Sequence, residues 1–331
     1  MNESTRLGIS IPTYKRPEEL RKCVASVCTS AEDYGVPIYI VDDAADDTNL
    51  AVFEELKAAY PFIHISRNET NLGIDRNIQQ AVNVCPCDYV WLIGEDDRML
   101  AQGVKRVMDA LEVEDVPFVY VNYSATDNDV RFLIKERSLP LAMNLRMPAE
   151  EFYRTVSWSM GFIGACVIQK SAWSPIDEKP YLDSFFAHVG RIMQSIAGSE
   201  VYLIAEPLIL NRCGSPEAFS WTGDAVEVFT GWEKMTRELV ETYSEEAGRD
   251  SLAHFQKAHG IGSLKFLMYL RAAGVYDLAM MSRMVPKHDH GLVFRFFAGI
   301  IAVSPCAILK GVRHVLMALR KRRSPLPGEQ E

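Results

Sequence analysis

The chain has 331 residues, 48% hydrophobic and 24% charged: enough for one large domain or two smaller ones, and too apolar for wholesale disorder. A formal net charge of −9 argues against a general nucleic-acid binder. From Lys287 onward eight Lys/Arg meet three carboxylates, so the tail is +5 and residues 1–286 carry −14, which suggests a separate partner for the tail.

The opening MNESTRLGISIP has no basic segment followed by an apolar core, so no signal peptide is expected. Leu7–Ile11 (LGISI) reads as a short strand and Pro12–Arg16 as a loop. Pro17 suits the first turn of a helix, with Glu18 and Glu19 at its positive end. Pro37–Val41 is the next strand and runs into Asp42 and Asp43. A helix from about Asn49 to Ala59, a strand Phe62–Ser66 and a helix Ile74–Val84 follow. Then comes DYVWLIGEDDRML, in which an apolar strand (Tyr89–Ile93) ends at Gly94 and three carboxylates stand at its tip. Holding Glu95, Asp96 and Asp97 there is costly unless a cation or a ligand donor shares the place. An acidic turn in water is the plainer alternative.

Strand–helix alternation with short turns is the signature of a parallel sheet, whose ligands sit beyond the carboxyl ends of the strands. Tyr14/Arg16, Asp42/Asp43 and Glu95–Asp97 all fall at such ends. No GxGxxG follows the first strand and no GxxxxGK[ST] is present, so phosphate binding would need a cation and side chains instead of a glycine cradle.

Further on, a helix is expected in 101–120, then a strand Phe118–Asn122, a variable segment Ser124–Pro148 and a strand Phe162–Gln169. A helix running through Ala197 and a strand Val201–Leu210 follow. Arg212 precedes a loop, Cys213–Asp224, that could close over ligands, with Trp221 to stack on a sugar ring or simply pack. His188 could assist or bind metal, against the plainer role of a packed histidine. His288 and His290 read as a solvated turn. Ala225–Ser244 and Asp250–Ala273 read as helices. Leu292–Leu309 is nearly all apolar but interrupted by Arg295 and Pro305, and Lys310–Arg323 is basic. Together, 292–323 read as an interfacial anchor on an anionic leaflet, the plainer alternative being a helix pair packed on the core with the last basic residues in water. The seven cysteines are scattered and odd in number, as expected of reduced thiols in a cytoplasmic protein.

These segments resemble the family-2 glycosyltransferases with the GT-A fold. ISIPTYKRPEELRKCVASV is similar to their opening strand, loop and helix, VDDAADDT to VDDGSTDGT, and NETNLGIDRNIQQA to NxGxxxARN. YVWLIGEDDRML stands in the place of DxD, so four motifs lie in order over residues 7–100. The G-E-D-D form and LNRCGSPEAFSW resemble, within the family, enzymes that add sugars to bacterial surface polysaccharides, such as abequosyltransferases.

The fold this implies is α/β: a GT-A, Rossmann-like nucleotide-diphospho-sugar transferase with a mixed, mainly parallel sheet flanked by helices. The expected division is a catalytic domain 1–222 (nucleotide-sugar half 1–100, acceptor half 101–222), a helical extension 223–285 and an apolar/basic tail 286–331. The activity implied is a metal-dependent, inverting transfer from a nucleotide-diphosphate sugar to a glycan or lipid-linked acceptor, in O-antigen or capsule synthesis, with Mn²⁺ or Mg²⁺. The place implied is the cytoplasm or the inner face of the cytoplasmic membrane.

Carried over residue by residue, Pro12, Thr13, Tyr14 and Arg16 line the nucleobase site, with Asp42 or Asp43 bonding the base. Arg76 lies near the diphosphate beside Asn77. Asp96 faces ribose or sugar, and Asp97 with Glu95 holds the metal. Asp183 stands where the family places its general base, and it would otherwise read as a helix N-cap. Departures are Gly94 and Glu95 within the DxD segment, Ala44-Ala45-Asp46 for Gly-Ser-Thr, and Asp75 where a small residue is commoner. A nucleotidyltransferase and a catalytically silent glycan-binding protein of the same fold are the rival readings.

Overall fold

The structure, a computed structural model, describes residues 6–213, 225–285 and 291–311. The first half alternates as expected: β1 (Leu7–Thr13), α1 (Pro17–Ala31), β2 (Ile38–Asp42), α2 (Leu50–Ala59), β3 (Ile63–Arg67), α3 (Ile74–Val84) and β4 (Tyr89–Leu92). Then come β5 (Arg98–Met99), α4 (Gly103–Val113), β6 (Phe118–Thr126), β7 (Leu133–Lys135), β8 (Leu145–Pro148), α5 (Ala149–Thr155), β9 (Cys166–Gln169) and α6 (Lys170–Trp173). The chain ends with α7 (Ala187–Ser195), β10 (Glu200–Arg212), α8 (Ala225–Glu238), α9 (Glu245–His259), α10 (Leu264–Ala273), α11 (Leu278–Met284) and α12 (Leu292–Val303).

One mixed sheet runs β3-β2-β1-β4-β9-β6-β10-β5, with β7 on β6 and β8 on β10. β3, β2, β1 and β4 are parallel, and β9 lies antiparallel between β4 and β6. The chain winds outward from β1 to β3 and returns to β4 on β1's other side. The switch point, where ligands of such sheets bind, is therefore between β1 and β4. Register sets Thr13 beside Asp42 and Asp42 beside Arg67, forming one polar row along the sheet's carboxyl edge.

α1 lays Leu20, Val24 and Val27 on the sheet, the 3–4 spacing of a helix with one buried face. α3 ends where Lys170 Nζ donates to the carbonyls of Val82 (2.6 Å), Asn83 (2.9 Å) and Cys85 (2.8 Å), a cation on three C-terminal acceptors.

Several elements differ from the sequence reading, among them β5, a two-residue strand where none was expected. Of Phe162–Gln169 only Cys166–Gln169 is strand. Ile163–Ala165 forms a 3₁₀ turn, because the Gly164 carbonyl accepts the Trp91 indole N–H (2.9 Å). The helix read across Asp250–Ala273 is two, broken by Gly260 (φ +65°) and Gly262 (φ +80°). The apolar run from Leu292 is helical to Val303, is interrupted at Ser304-Pro305, and is helical again over 306–311. Among the described residues no helix is long and apolar enough to cross a membrane.

Apolar packing divides the predicted extension. Trp232, Met235, Leu239 and Phe255 of α8 and α9 join the main core around the sheet. Leu267, Leu270, Tyr276, Val285, Ala298 and Ile301 form a second, smaller core from α10 to α12.

Candidate active site

Just past β4, the N–H of Ile93 donates to Ser10 O of β1 (3.0 Å), and Gly94 turns the chain. A Cβ at Gly94 would collide with Asp97 Oδ2, so the glycine lets Asp97 fold back over the strand tip. Asp97 is buried, its Oδ1 accepting the backbone N–H of Arg212 (3.2 Å). Burial, then the neighbouring Asp96, pushes its carboxyl well above the usual range. Glu95 Oε2 receives the Thr13 hydroxyl and the Tyr14 N–H (3.0 Å), while burial raises Glu95 to about 7. Asp96 is held by Arg16 Nη1 (2.9 Å) and Arg212 Nη2 (3.4 Å), and Arg212 Nη1 also approaches Glu19 (3.7 Å). The acidic turn thus ties β1, β4 and β10 together across 80 to 116 residues of sequence. Tyr14 is 43% exposed at this edge, and Pro12, read as loop, continues β1.

Asp42 and Asp43 spend their charge inside the fold. Asp42 accepts from Ala44 N (3.1 Å), Asn49 Nδ2 (2.8 Å) and Arg67 Nε (3.1 Å). Asp43 accepts from Asn68 Nδ2 (2.9 Å), Leu72 N (2.7 Å) and Gly73 N (3.0 Å), closing the loop into α3. Asn77 is buried between Asn68 and the carbonyl of Val41.

Arg76, on the first turn of α3, reaches across to Asp183 (Nη1–Oδ1 3.0 Å). Asp183 is not the cap of α7. That helix is preceded by Phe186, and its first N–H, from Ala187, goes to Asp75 Oδ1 (3.2 Å). Asp183 instead sits with φ +61° in a turn whose carboxylate is 70% exposed. His188, read as an acceptor-side residue against the plainer role of a packed one, is sealed inside with Nε2 against Met160 O (2.9 Å), and burial lowers its proton affinity. Trp221, most of the Cys213–Asp224 loop, His288 and His290 lie outside the described residues. The sequence reading missed Glu19, Arg67, Asn68 and the bracing role of Asp75. Only Asp75 carried a signal, its unusual place in the NxGxxxARN-like segment.

Among the described residues no three His, Cys, Asp or Glu form a ready metal cage. The donors at the turn are nonetheless all carboxylate oxygens, one deeply buried and short of partners. Such a set fits a hard divalent cation completed by substrate phosphates.

Residues 9–171 match the family model described as glycosyl transferase family 2. The abequosyltransferase RfbV of Salmonella typhimurium is 26% identical over 255 residues, 72% of this chain and 76% of that one. The structure of S. aureus TarS 1–349 in complex with UDP-GlcNAc superposes with a TM-score of 0.55 at 14% identity, over 96% of this chain and 92% of that one. A longer TarS structure is spanned to about half its length, 50%. The mannosyltransferase PcManGT from Pyrobaculum calidifontis, in complex with GDP-Man and Mn²⁺, gives 0.53 at 11% identity, over 95% and 88%.

Proposed function

We propose that this chain, a glycosyltransferase whose residues 9–171 form a family-2 domain on the GT-A fold, moves a sugar from a nucleoside diphosphate to a hydroxyl with inversion at the anomeric carbon. The observation that carries this reading is the convergence of Thr13–Arg16, Glu95–Asp97 and Arg212 on one turn at the sheet's switch point. Tyr14 and Arg16 would receive the nucleobase side of the donor, and Arg76 its diphosphate. Asp97 with Glu95 would hold a divalent cation. Bound there, it would supply charge neutralisation for the departing nucleoside diphosphate.

Asp183 takes the proton of the acceptor hydroxyl as that oxygen bonds to the anomeric carbon and the bond to the diphosphate oxygen breaks. Arg76 pairs with Asp183, and a donor diphosphate competes for the guanidinium, which frees the carboxylate. Because Asp42 and Asp43 are fully engaged, a base contact from either requires giving up an internal bond.

The abequosyltransferase relative supports an acceptor in bacterial surface polysaccharide, as a glycan or lipid-linked saccharide. α12 supports work at the inner face of the membrane. Leu292, Val293, Phe296, Phe297, Ile300 and Val303 are exposed along it, and the sequence that follows is basic.

A melting screen of nucleoside diphosphates with Mn²⁺ tests the donor site. One of them raises the melting temperature, and Asp97→Ala removes the rise. No shift with any nucleotide would overturn the reading. For the membrane, co-sedimentation with anionic vesicles is expected to fall about tenfold or more in Phe296→Asp/Phe297→Asp. Unchanged co-sedimentation would remove that part.

A further inference from the structure

We propose that Asp75 is a positioning residue for the transfer: it fixes the turn that presents Asp183 and locks that turn to the helix carrying Arg76. The inference rests on the reading of Asp183 as the base. Asp75 and Arg76 are consecutive on the first turn of α3, one facing inward and buried, the other outward.

Every backbone N–H from 184 to 187 has an assigned acceptor. Asp75 Oδ2 takes Ser184 N (2.9 Å) and Phe185 N (3.0 Å), and Asp75 Oδ1 takes Ala187 N (3.2 Å). Phe186 N goes to Ser184 Oγ (3.0 Å), which itself donates to Tyr181 O (2.6 Å). One carboxylate therefore satisfies three of four buried or half-buried donors that would otherwise be orphaned. The turn cannot hold itself, since Asp183 (φ +61°) and Phe185 (φ +65°) both sit in the left-handed region that L side chains avoid.

α8 presses on the turn's other side. A Cβ at Gly231 would collide with the Ser184 carbonyl, and Lys234 Nζ donates to Leu182 O (2.7 Å). Clamped between α3 and α8, the backbone is fixed while the Asp183 carboxylate remains exposed. A general base held this way meets its substrate already oriented, and a displacement of about 1 Å at such a group costs on the order of 10²-fold in rate. The same helix carries the arginine expected at the diphosphate, so donor and base are held in one frame.

Asp75→Asn keeps one oxygen but turns an NH₂ toward backbone donors. It should lower kcat about 10- to 100-fold while leaving donor KM, and the melting shift caused by a nucleoside diphosphate, unchanged. Ser184→Ala, a milder loosening of the turn with Asp75 intact, should show a smaller loss of the same kind. In the Asp183→Asn background, Asp75→Asn should add nothing. An unchanged kcat in Asp75→Asn, or kcat and donor affinity falling in step in both variants, overturns the inference. If Asp183→Asn retains wild-type turnover, the base assignment itself falls. If Asp183→Asn is inactive while Asp75→Asn is normal, only the positioning role falls.

Discussion

Buried carboxylates gather at two kinds of place in this molecule. Asp42, Asp43 and Asp75 are buried, and each accepts three hydrogen bonds from the protein. Asp97 is buried as deeply, yet it has one backbone N–H and a like charge beside it. The first three are braces, whose desolvation is offset by fixed donors, so their charge serves loops and helix starts. The fourth lacks such donors, so burial favours its neutral form, and a cation at the switch point would favour its charged one. Satisfied charge belongs to the fold, and undersatisfied charge to the site.

The largest expected effect is at the undersatisfied end. Asp97→Asn should reduce transfer about 10³-fold or more, with a melting temperature in chelator no lower than that of the wild type, since a neutral amide replaces a carboxyl whose charged form burial already disfavours. A large drop in stability there would make Asp97 a brace like the others. At the other end, Asp43→Ala should cost about 2–4 kcal/mol in denaturant unfolding, because Leu72 N, Gly73 N and Asn68 lose their acceptor. A stable Asp43→Ala would erase the distinction.

The smallest effect concerns a buried base. His188 has its proton affinity lowered by burial, with Asp75 the charge that faces it from α3. The unfolded chain therefore binds a proton first. Stability from this residue is full above about 6.5, the unfolded value, and declines as pH falls below it. His188→Leu should show a shallower loss of melting temperature between pH 7.5 and about 5. An equal slope in both proteins would place the histidine's ionisation elsewhere.

Much of the donor side was legible in the chain because parallel strands are read from local pattern, and residues after their last apolar position must lie at one edge. Tyr14, Arg16 and Glu95–Asp97 came together on that basis, and Thr13 entered only through the resemblance. Asp183 was found only through resemblance, since nothing around it distinguishes a base from a cap. His188 had the packed role as its plainer reading, although helical spacing does not tell which face meets the core, and packing put it inside. The helix read through 250–273 failed at Gly260 and Gly262, whose positive φ values a periodicity of apolar residues does not register.

By itself the sequence determined the strand and helix order of residues 7–122 apart from the two-residue β5, the carboxyl edge where polar residues collect, and an acidic tip after β4. Those features depend on spacing of 2 and 3.6 residues and on short turns, which are local. Only the tertiary structure decided which carboxylates are spent and which are not. That depends on donors from residues 25 to 115 positions away, Arg67 on Asp42, Arg212 on Asp97 and the Ser184 turn on Asp75 among them. The acidic turn and the Asp183 turn are alike in this. Each is written in a few residues, and each is held in its working shape by a distant one.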